Sequence, residues 1–212
     1  MSWLRYDSPL MVFISKVTDF IILNFLWVIC SIPLVTIGAA TTAKYTIAMR
    51  ILRNEESPVI KPFFVAFKEN FAQATKIWLI LMLAVIVVIV DWTWIYSSGF
   101  ANVSIYYIIA VLVISFLVIG VCMSVFPFIA RFTVTTKEAI KAGVIYTFLH
   151  FVKIVLIALL EFGTIIASLW YANWLIVVAL FGTTSAFYFN AHMAVKEFAK
   201  TEEKLAEETS EE

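Results

Sequence analysis

The chain has 212 residues, of which 63% are hydrophobic and 14% charged, and its acidic and basic side chains balance to a formal net charge of zero. Soluble domains carry about 25% charged residues, so this composition excludes an ordinary soluble protein and indicates an integral membrane protein. Nucleic-acid binding has no support, because no basic stripe runs outside the short connections between apolar segments.

Five apolar segments follow one another along the chain. They cover residues 20–43, 77–95, 105–126, 154–170 and 174–189. A helix needs roughly 20 apolar residues to cross a hydrocarbon core, and the last four segments are close to that length. We therefore expect an all-α polytopic membrane bundle, with a single integral membrane domain over residues 1–195 and an acidic cytoplasmic tail over residues 196–212.

A proline, Pro33, divides the first apolar segment near its middle. Because proline breaks or kinks a helix, two interpretations are open. Residues 20–43 are one kinked helix, which gives five spans, or helices 11–32 and 37–53 meet in a tight turn, which gives six membrane-embedded segments in three hairpins.

The charges in the connections favour the six-segment interpretation. Basic side chains are concentrated in residues 50–76 and 131–153, and the positive-inside rule places both connections in the cytoplasm, together with the C-terminus. Three other connections carry no charge, and only six segments place all three on the outer face: 31–38, 97–104 and 171–173.

Two amphipathic helices are predicted within the basic connections. In residues 61–74, Phe63, Phe67 and Phe71 recur on one side with charged and amide side chains between them. This pattern is typical of a helix that lies in the inner membrane interface. Residues 136–148 show a similar pattern, and either helix would seat on lipid or dock a partner protein.

Glu161 is the strongest functional candidate, because it lies at the centre of the fourth apolar segment. An ionised carboxylate there costs a few kcal/mol, so it is expected to face protein or water. It would serve a proton-linked or cation-linked site, or be a packing group bonded to Lys44 or Thr164.

Other polar side chains in the apolar segments have structural interpretations. Asp19 is predicted to pair with Arg50 or Arg53 at the inner surface, and Lys44 would be buried about two turns into the second helix. Asp91 lies among aromatic rings at the outer end of the second apolar segment, where an interfacial aromatic belt explains the rings. An outward sugar-binding shelf is the alternative for Asp91.

No motif for catalysis, cofactor binding or metal binding is present. His150 and His192 lie far apart in the sequence and have no third ligand near them. We therefore expect no catalytic residues, no cofactor and no metal.

The segment NFLWVICSIPLVTIGAATTAKY, residues 24–45, resembles the signature of the YesL-like family of bacterial multi-pass membrane proteins, a domain of unknown function. In this signature a proline and a glycine are expected to shape the turn and a tryptophan to pack between helices. The residues that carry the resemblance include Asn24, Trp27, Pro33, Thr36 and Gly38.

The resemblance implies a protein of the bacterial cytoplasmic membrane that is associated with carbohydrate uptake, and it implies no known activity. From it we expect a non-enzymatic accessory or partner of a carbohydrate ABC importer or of a sensor, embedded in the lipid bilayer. The alternatives are a small transporter or channel with Glu161 in its path and, with least support, a membrane-bound enzyme.

Overall fold

The computed structural model describes residues 9–53, 55, 58–170 and 187–199, and every regular element within them is helical. This confirms the all-α class. Most of the fifth apolar segment and of the acidic tail lies outside the described residues. The helices are α1 (Pro9–Cys30), α2 (Ile37–Leu52), α3 (Ile60–Ser98), α4 (Ile105–Arg131), α5 (Thr136–Leu149), α6 (Phe151–Trp170) and α7 (187–199).

Helices α3 and α4 are each long and apolar enough to cross a membrane. Helix α5 and the first half of α6 are long and apolar enough to cross a membrane only when they are taken together, and the angle between them is 92°. The described residues therefore contain two such spans, or three if the bent pair counts as one, as expected of a membrane protein.

Pro33 separates two helices instead of kinking one. The hydroxyl of Thr36 donates hydrogen bonds to the carbonyl oxygens of Cys30, at 2.6 Å, and Pro33, at 2.7 Å, and so closes the turn after α1. Beyond the turn, the indole nitrogen of Trp27 donates to Thr41 Oγ1 across the two helices. Helices α1 and α2 thus form an antiparallel hairpin, as the tight-turn interpretation predicts.

Gly38 allows α2 to approach α3 closely. A Cβ atom on Gly38 would lie 2.6 Å from the carbonyl oxygen of Ala74 and 2.5 Å from Cβ of Trp78. The expectation that Gly38 shapes the turn is therefore wrong, because it lies within the first turn of α2 and its role is helix packing. The indole of Trp78 also donates to the Leu34 carbonyl at 2.8 Å, which fixes the turn beside Trp78.

The position of this turn corrects the predicted arrangement of hairpins. Trp78 and Ser98, at the end of α3, are separated by roughly 30 Å of helix, which is one hydrocarbon thickness. The turn at Pro33 lies beside Trp78, whereas the uncharged connection after Ser98 lies at the far end of α3. The structure therefore separates the two connections along α3, whereas the predicted arrangement placed them at the same end of the bundle.

The amphipathic stretch 61–74 is not a separate helix. Its residues form the first part of α3, which continues without a break to Ser98. The change from charged to apolar side chains near Lys76 suggested a boundary, but backbone hydrogen bonding does not depend on side-chain polarity, and no glycine or proline interrupts the helix there. The stretch 136–148 does form a separate helix, α5.

Candidate functional site

Lys44 lies in the interior of the bundle, with only 3% of its surface exposed. It is enclosed because α2 packs against α1, α3 and α4. Its ammonium donates to Asn24 Oδ1 at 2.7 Å and lies 4.6 Å from the ring centre of Trp27 and 4.1 Å from that of Phe187. The burial predicted for Lys44 is therefore present, and an amide oxygen and two aromatic faces stabilise the charge.

A second buried amide extends this cluster to α4 and α7. Asn190 Nδ2 donates to the Tyr45 hydroxyl at 2.8 Å and to the Met123 carbonyl at 3.2 Å. The Tyr45 ring also packs on Phe187, with ring centres 4.1 Å apart. Sequence reasoning missed Asn190 and Tyr45, although an amide within an apolar helix is a signal for such a contact. The cluster cross-links four helices, which is a structural role.

The arginines expected to pair with Asp19 contact another acid. Asp19 is half-buried on α1. Arg53 Nε lies 3.1 Å from Glu55, and Arg50 Nε lies 3.9 Å from the same carboxylate. Glu55 follows α2 closely in the chain and meets both guanidinium groups there.

Asp91 links α3 to α4. It accepts a hydrogen bond of 2.9 Å from the hydroxyl of Tyr107, whose ring meets the edge of Trp94 at 5.5 Å. These contacts tie the two helices together near the connection after Ser98. The side chain of Glu161 lies outside the part of the chain that the structure describes.

A cavity of about 800 Å³ opens where α2 and α4 end and α3 and α5 begin; we call it the basic-end cavity. Its volume is within the range of small-molecule sites. Three cationic side chains from three different helices line it: Arg50 from α2, Lys61 from α3 and Arg131 from α4. The remaining lining residues are Thr46, Pro62, Val65, Ala66, Glu69, Asn70, Gln73, Ile129, Ala130, Phe132, Thr133, Val134, Thr135 and Glu138.

Hydrogen bonds hold the wall of the basic-end cavity in place. Gln73 Nε2 donates to the Val134 carbonyl at 2.7 Å, which ties α3 to the connection between α4 and α5. A capping box starts α5: the Thr135 N–H donates to Glu138 Oε2 at 2.8 Å, and the Glu138 N–H donates to Thr135 Oγ1 at 3.4 Å. The hydrogen bond from the Thr135 N–H and, to a smaller extent, an interaction with the Thr135 side chain lower the pKa of the Glu138 carboxyl.

Sequence reasoning missed the basic-end cavity, although it identified the two basic connections that form it. The lining residues come from four helices and one loop, so no single segment carries the pattern. Within the described residues, no group of three His, Cys, Asp or Glu side chains is placed to hold a metal ion.

Residues 20–92, about one third of the chain, match the model of a family described as "Protein of unknown function, DUF624". The matched segment contains the second half of α1, all of α2 and most of α3, and so includes Asn24, Lys44 and Lys61. No curated protein and no solved structure matches the chain.

Proposed function

We propose that the chain is a non-enzymatic integral membrane protein that acts as an accessory or binding partner of a carbohydrate ABC importer or of a carbohydrate sensor. The observation that carries this proposal is the length of α3. Its 39 residues measure roughly 58 Å, about twice the thickness of a hydrocarbon core.

The first part of α3 is too polar to lie in lipid. Lys61, Lys68, Glu69 and Lys76 are all exposed there, whereas residues 77–95 are almost entirely apolar. If residues 77–95 cross the bilayer, the preceding part of α3 projects from it as a rigid helix. A projecting helix offers a partner protein a preformed surface.

The exposed face of this projection is a stripe formed by Ile60, Phe64, Lys68 and Phe71, which we call the outer stripe. Phe64 is 48% exposed and Phe71 39% exposed. The spacing places the four side chains along one side of a helix, where a groove in a partner can accept them. The predicted surface of Phe63, Phe67 and Phe71 differs in position, because Phe63 is fully buried and Phe67 packs against the core.

The proposed orientation is supported by which ends of the helices meet. The ring of Phe198, near the end of α7, lies 5.1 Å from that of Phe132, which lines the basic-end cavity. The described end of α7 is therefore at the same end of the bundle as the basic connections. The positive-inside rule supports placing that end, and the outer stripe, in the cytoplasm of a bacterial cell.

The turn of the α1–α2 hairpin is proposed to reach the cytoplasmic surface of the bilayer, and the hairpin does not cross it. Its turn lies beside Trp78, where the apolar part of α3 begins. Ile32 and Leu34 at the turn are 75% and 69% exposed, as expected of side chains that contact acyl chains. This placement supports lipid contact and leaves the hairpin with both ends on one side.

The link to carbohydrate uptake rests on the resemblance of residues 24–45 to the YesL-like signature. The matched family has no described activity, so it adds no substrate. The transporter alternative depends on Glu161, whose side chain lies outside the described part, and no contact among the described residues favours that alternative.

Affinity purification from native membranes tests the proposal. The full chain should recover subunits of a carbohydrate ABC importer, or a carbohydrate sensor, and the double substitution Phe64→Glu and Phe71→Glu should abolish that recovery. The matched control is Phe100→Glu, since Phe100 is 54% exposed but lies at the opposite end of α3.

Insertion and folding are followed in parallel by membrane fractionation and thermal unfolding. Recovery that survives in the Phe64/Phe71 variant shows that the outer stripe is not the docking surface. Failure of the unaltered chain to recover importer subunits or a sensor contradicts the proposed function itself.

A further inference from the structure

We propose that the basic-end cavity binds a phosphate ester of a polyhydroxy group, either as a free organic phosphate or as the headgroup of an anionic phospholipid. Three helices converge there, and each contributes one cation. The inference goes beyond the proposed function, because it concerns the interior of the cavity and does not use the outer stripe.

The cationic side chains favour phosphate. Arg50 and Arg131 carry planar guanidinium groups, which bind phosphate oxygens in a bidentate manner, and Lys61 adds a compact charge. A phosphate monoester carries about −1.5 to −2 charges at neutral pH. Phosphate therefore matches a cavity lined by three cations, of which Arg50 also lies 3.9 Å from Glu55.

The acceptors in the cavity favour a ligand that also has hydroxyl groups. Glu69 and Glu138 both line the cavity, and Glu138 already accepts the Thr135 N–H. Asn70 Nδ2 donates to the Ala66 carbonyl, and Gln73 Nε2 donates to Val134, so each amide is fixed and its oxygen can accept a hydroxyl. A simple inorganic anion would leave these acceptors unused.

The position of the cavity makes both sources of phosphate accessible. Gln73, at its inner end, lies about one helical turn before Ile77, where the apolar part of α3 begins. This inner end is therefore at the depth of lipid headgroups, which extend several ångströms beyond the hydrocarbon. Lys61, at the opposite end, lies farther out along α3, where soluble molecules have access.

The test uses the purified full chain and two kinds of probe. In detergent, calorimetric titration measures binding of sn-glycerol 3-phosphate and glucose 6-phosphate, with glycerol and glucose as unphosphorylated controls. In nanodiscs, native mass spectrometry measures retention of phosphatidylglycerol against phosphatidylcholine. Each measurement is repeated on the Lys61→Gln/Arg131→Gln variant.

The matched control is Lys68→Gln/Lys76→Gln. It removes the same charge from the same end of the bundle, but both lysines are exposed and lie outside the cavity lining. Thermal unfolding of the unliganded proteins checks the fold. If Arg131→Gln disturbs it, the exposed Lys61→Gln alone is compared with Lys68→Gln.

Binding of either probe that weakens roughly tenfold or more in the cavity variant, but not in the control, supports the proposal. Saturable binding of a soluble ester identifies a free ligand, and selective retention of phosphatidylglycerol alone identifies the lipid. The proposal is overturned if neither probe binds, if the cavity variant binds as tightly as the unaltered chain, or if the control loses binding as much as the cavity variant does. Recovery of partner proteins is a separate measurement and is unaffected by this outcome.

Discussion

The ammonium group of Lys44 lies 2.7 Å from Oδ1 of Asn24, and both side chains are buried between α1 and α2. A buried charge is tolerated only where polar groups replace water, and here an amide oxygen and the faces of two rings do so. The pair joins the two helices of a hairpin whose turn contains a proline. This contact therefore sets how α1 is aligned on α2.

Removing the amide oxygen of Asn24 should lower the free energy of unfolding more than removing the charge of Lys44 does. Asn24→Leu leaves the ammonium of Lys44 buried without this acceptor, and we expect a loss of about 1.5–3 kcal/mol in the free energy of unfolding. Lys44→Met removes the charge and keeps a side chain of similar shape, so its cost should be smaller. Equilibrium unfolding of the detergent-purified variants compares them; a larger loss for Lys44→Met contradicts this assignment.

Gly38 should not tolerate even a methyl group. Gly38→Ala would bring Cβ to within 2.6 Å of the Ala74 carbonyl oxygen, so α2 and α3 must separate. We expect a loss of about 1–3 kcal/mol, as in other overpacked interiors. Thermal unfolding measures the change.

Gly163→Ala is the matched control for Gly38→Ala. Gly163 also lies in a helix, but a Cβ there meets no atom within 4 Å. Alanine should therefore stabilise α6 by about 0.5–1 kcal/mol through its higher helix propensity. Equal losses at both positions would show that the contact with Ala74 does not limit the packing.

The sequence predicts which residues form helices better than it predicts how far neighbouring helices are shifted along one another. The break at Pro33 and the shielding of Lys44 follow from local chemistry, since a proline and a buried charge each permit few solutions. The contact of Gly38 with Ala74 and Trp78 does not follow, because α2 and α3 can slide along one another without changing either sequence pattern. Loop charges alone therefore did not predict that the first turn lies beside Trp78.

The basic-end cavity could also be predicted only in part, because it depends on how the helices are placed relative to one another. Basic residues near positions 50, 61 and 131 predict a cytoplasmic surface, but their convergence depends on where α2 and α4 end. The exposed face of α3 was also assigned one position away, because a ladder of phenylalanines at helical spacing fits a buried face and an exposed face equally well. Phe63 is buried because it belongs to the core formed between the helices, which only the packing shows.

The capping box of α5 should control the order of the cavity wall. Thr135→Ala removes the oxygen that accepts the Glu138 N–H, and we expect the start of α5 to lose about 1 kcal/mol of stability. Thr135→Ser keeps the hydroxyl and serves as the control. Amide hydrogen exchange at residues 136–140 should accelerate in the alanine variant only; equal exchange in both variants would show that the cap does not hold this segment.

Cysteine labelling in intact cells should separate the two uncharged turns. In a background with Cys30 and Cys122 replaced by alanine, single cysteines are placed at Val35, Asn102 and Lys137. An impermeant thiol reagent should label Asn102→Cys from outside, because the connection after Ser98 lies at the far end of α3, and it should label Lys137→Cys only after the membrane is permeabilised.

Val35→Cys distinguishes the two arrangements of the first hairpin. Val35 is exposed at the turn beside Trp78, so a hairpin whose turn reaches the bilayer from the cytoplasmic side places this residue at the inner membrane surface. It should remain unlabelled in intact cells and react only once the membrane is permeabilised or the protein is solubilised in denaturant. Labelling of Val35→Cys from outside, at the rate seen for Asn102→Cys, would restore the arrangement of three hairpins whose uncharged turns share the outer face.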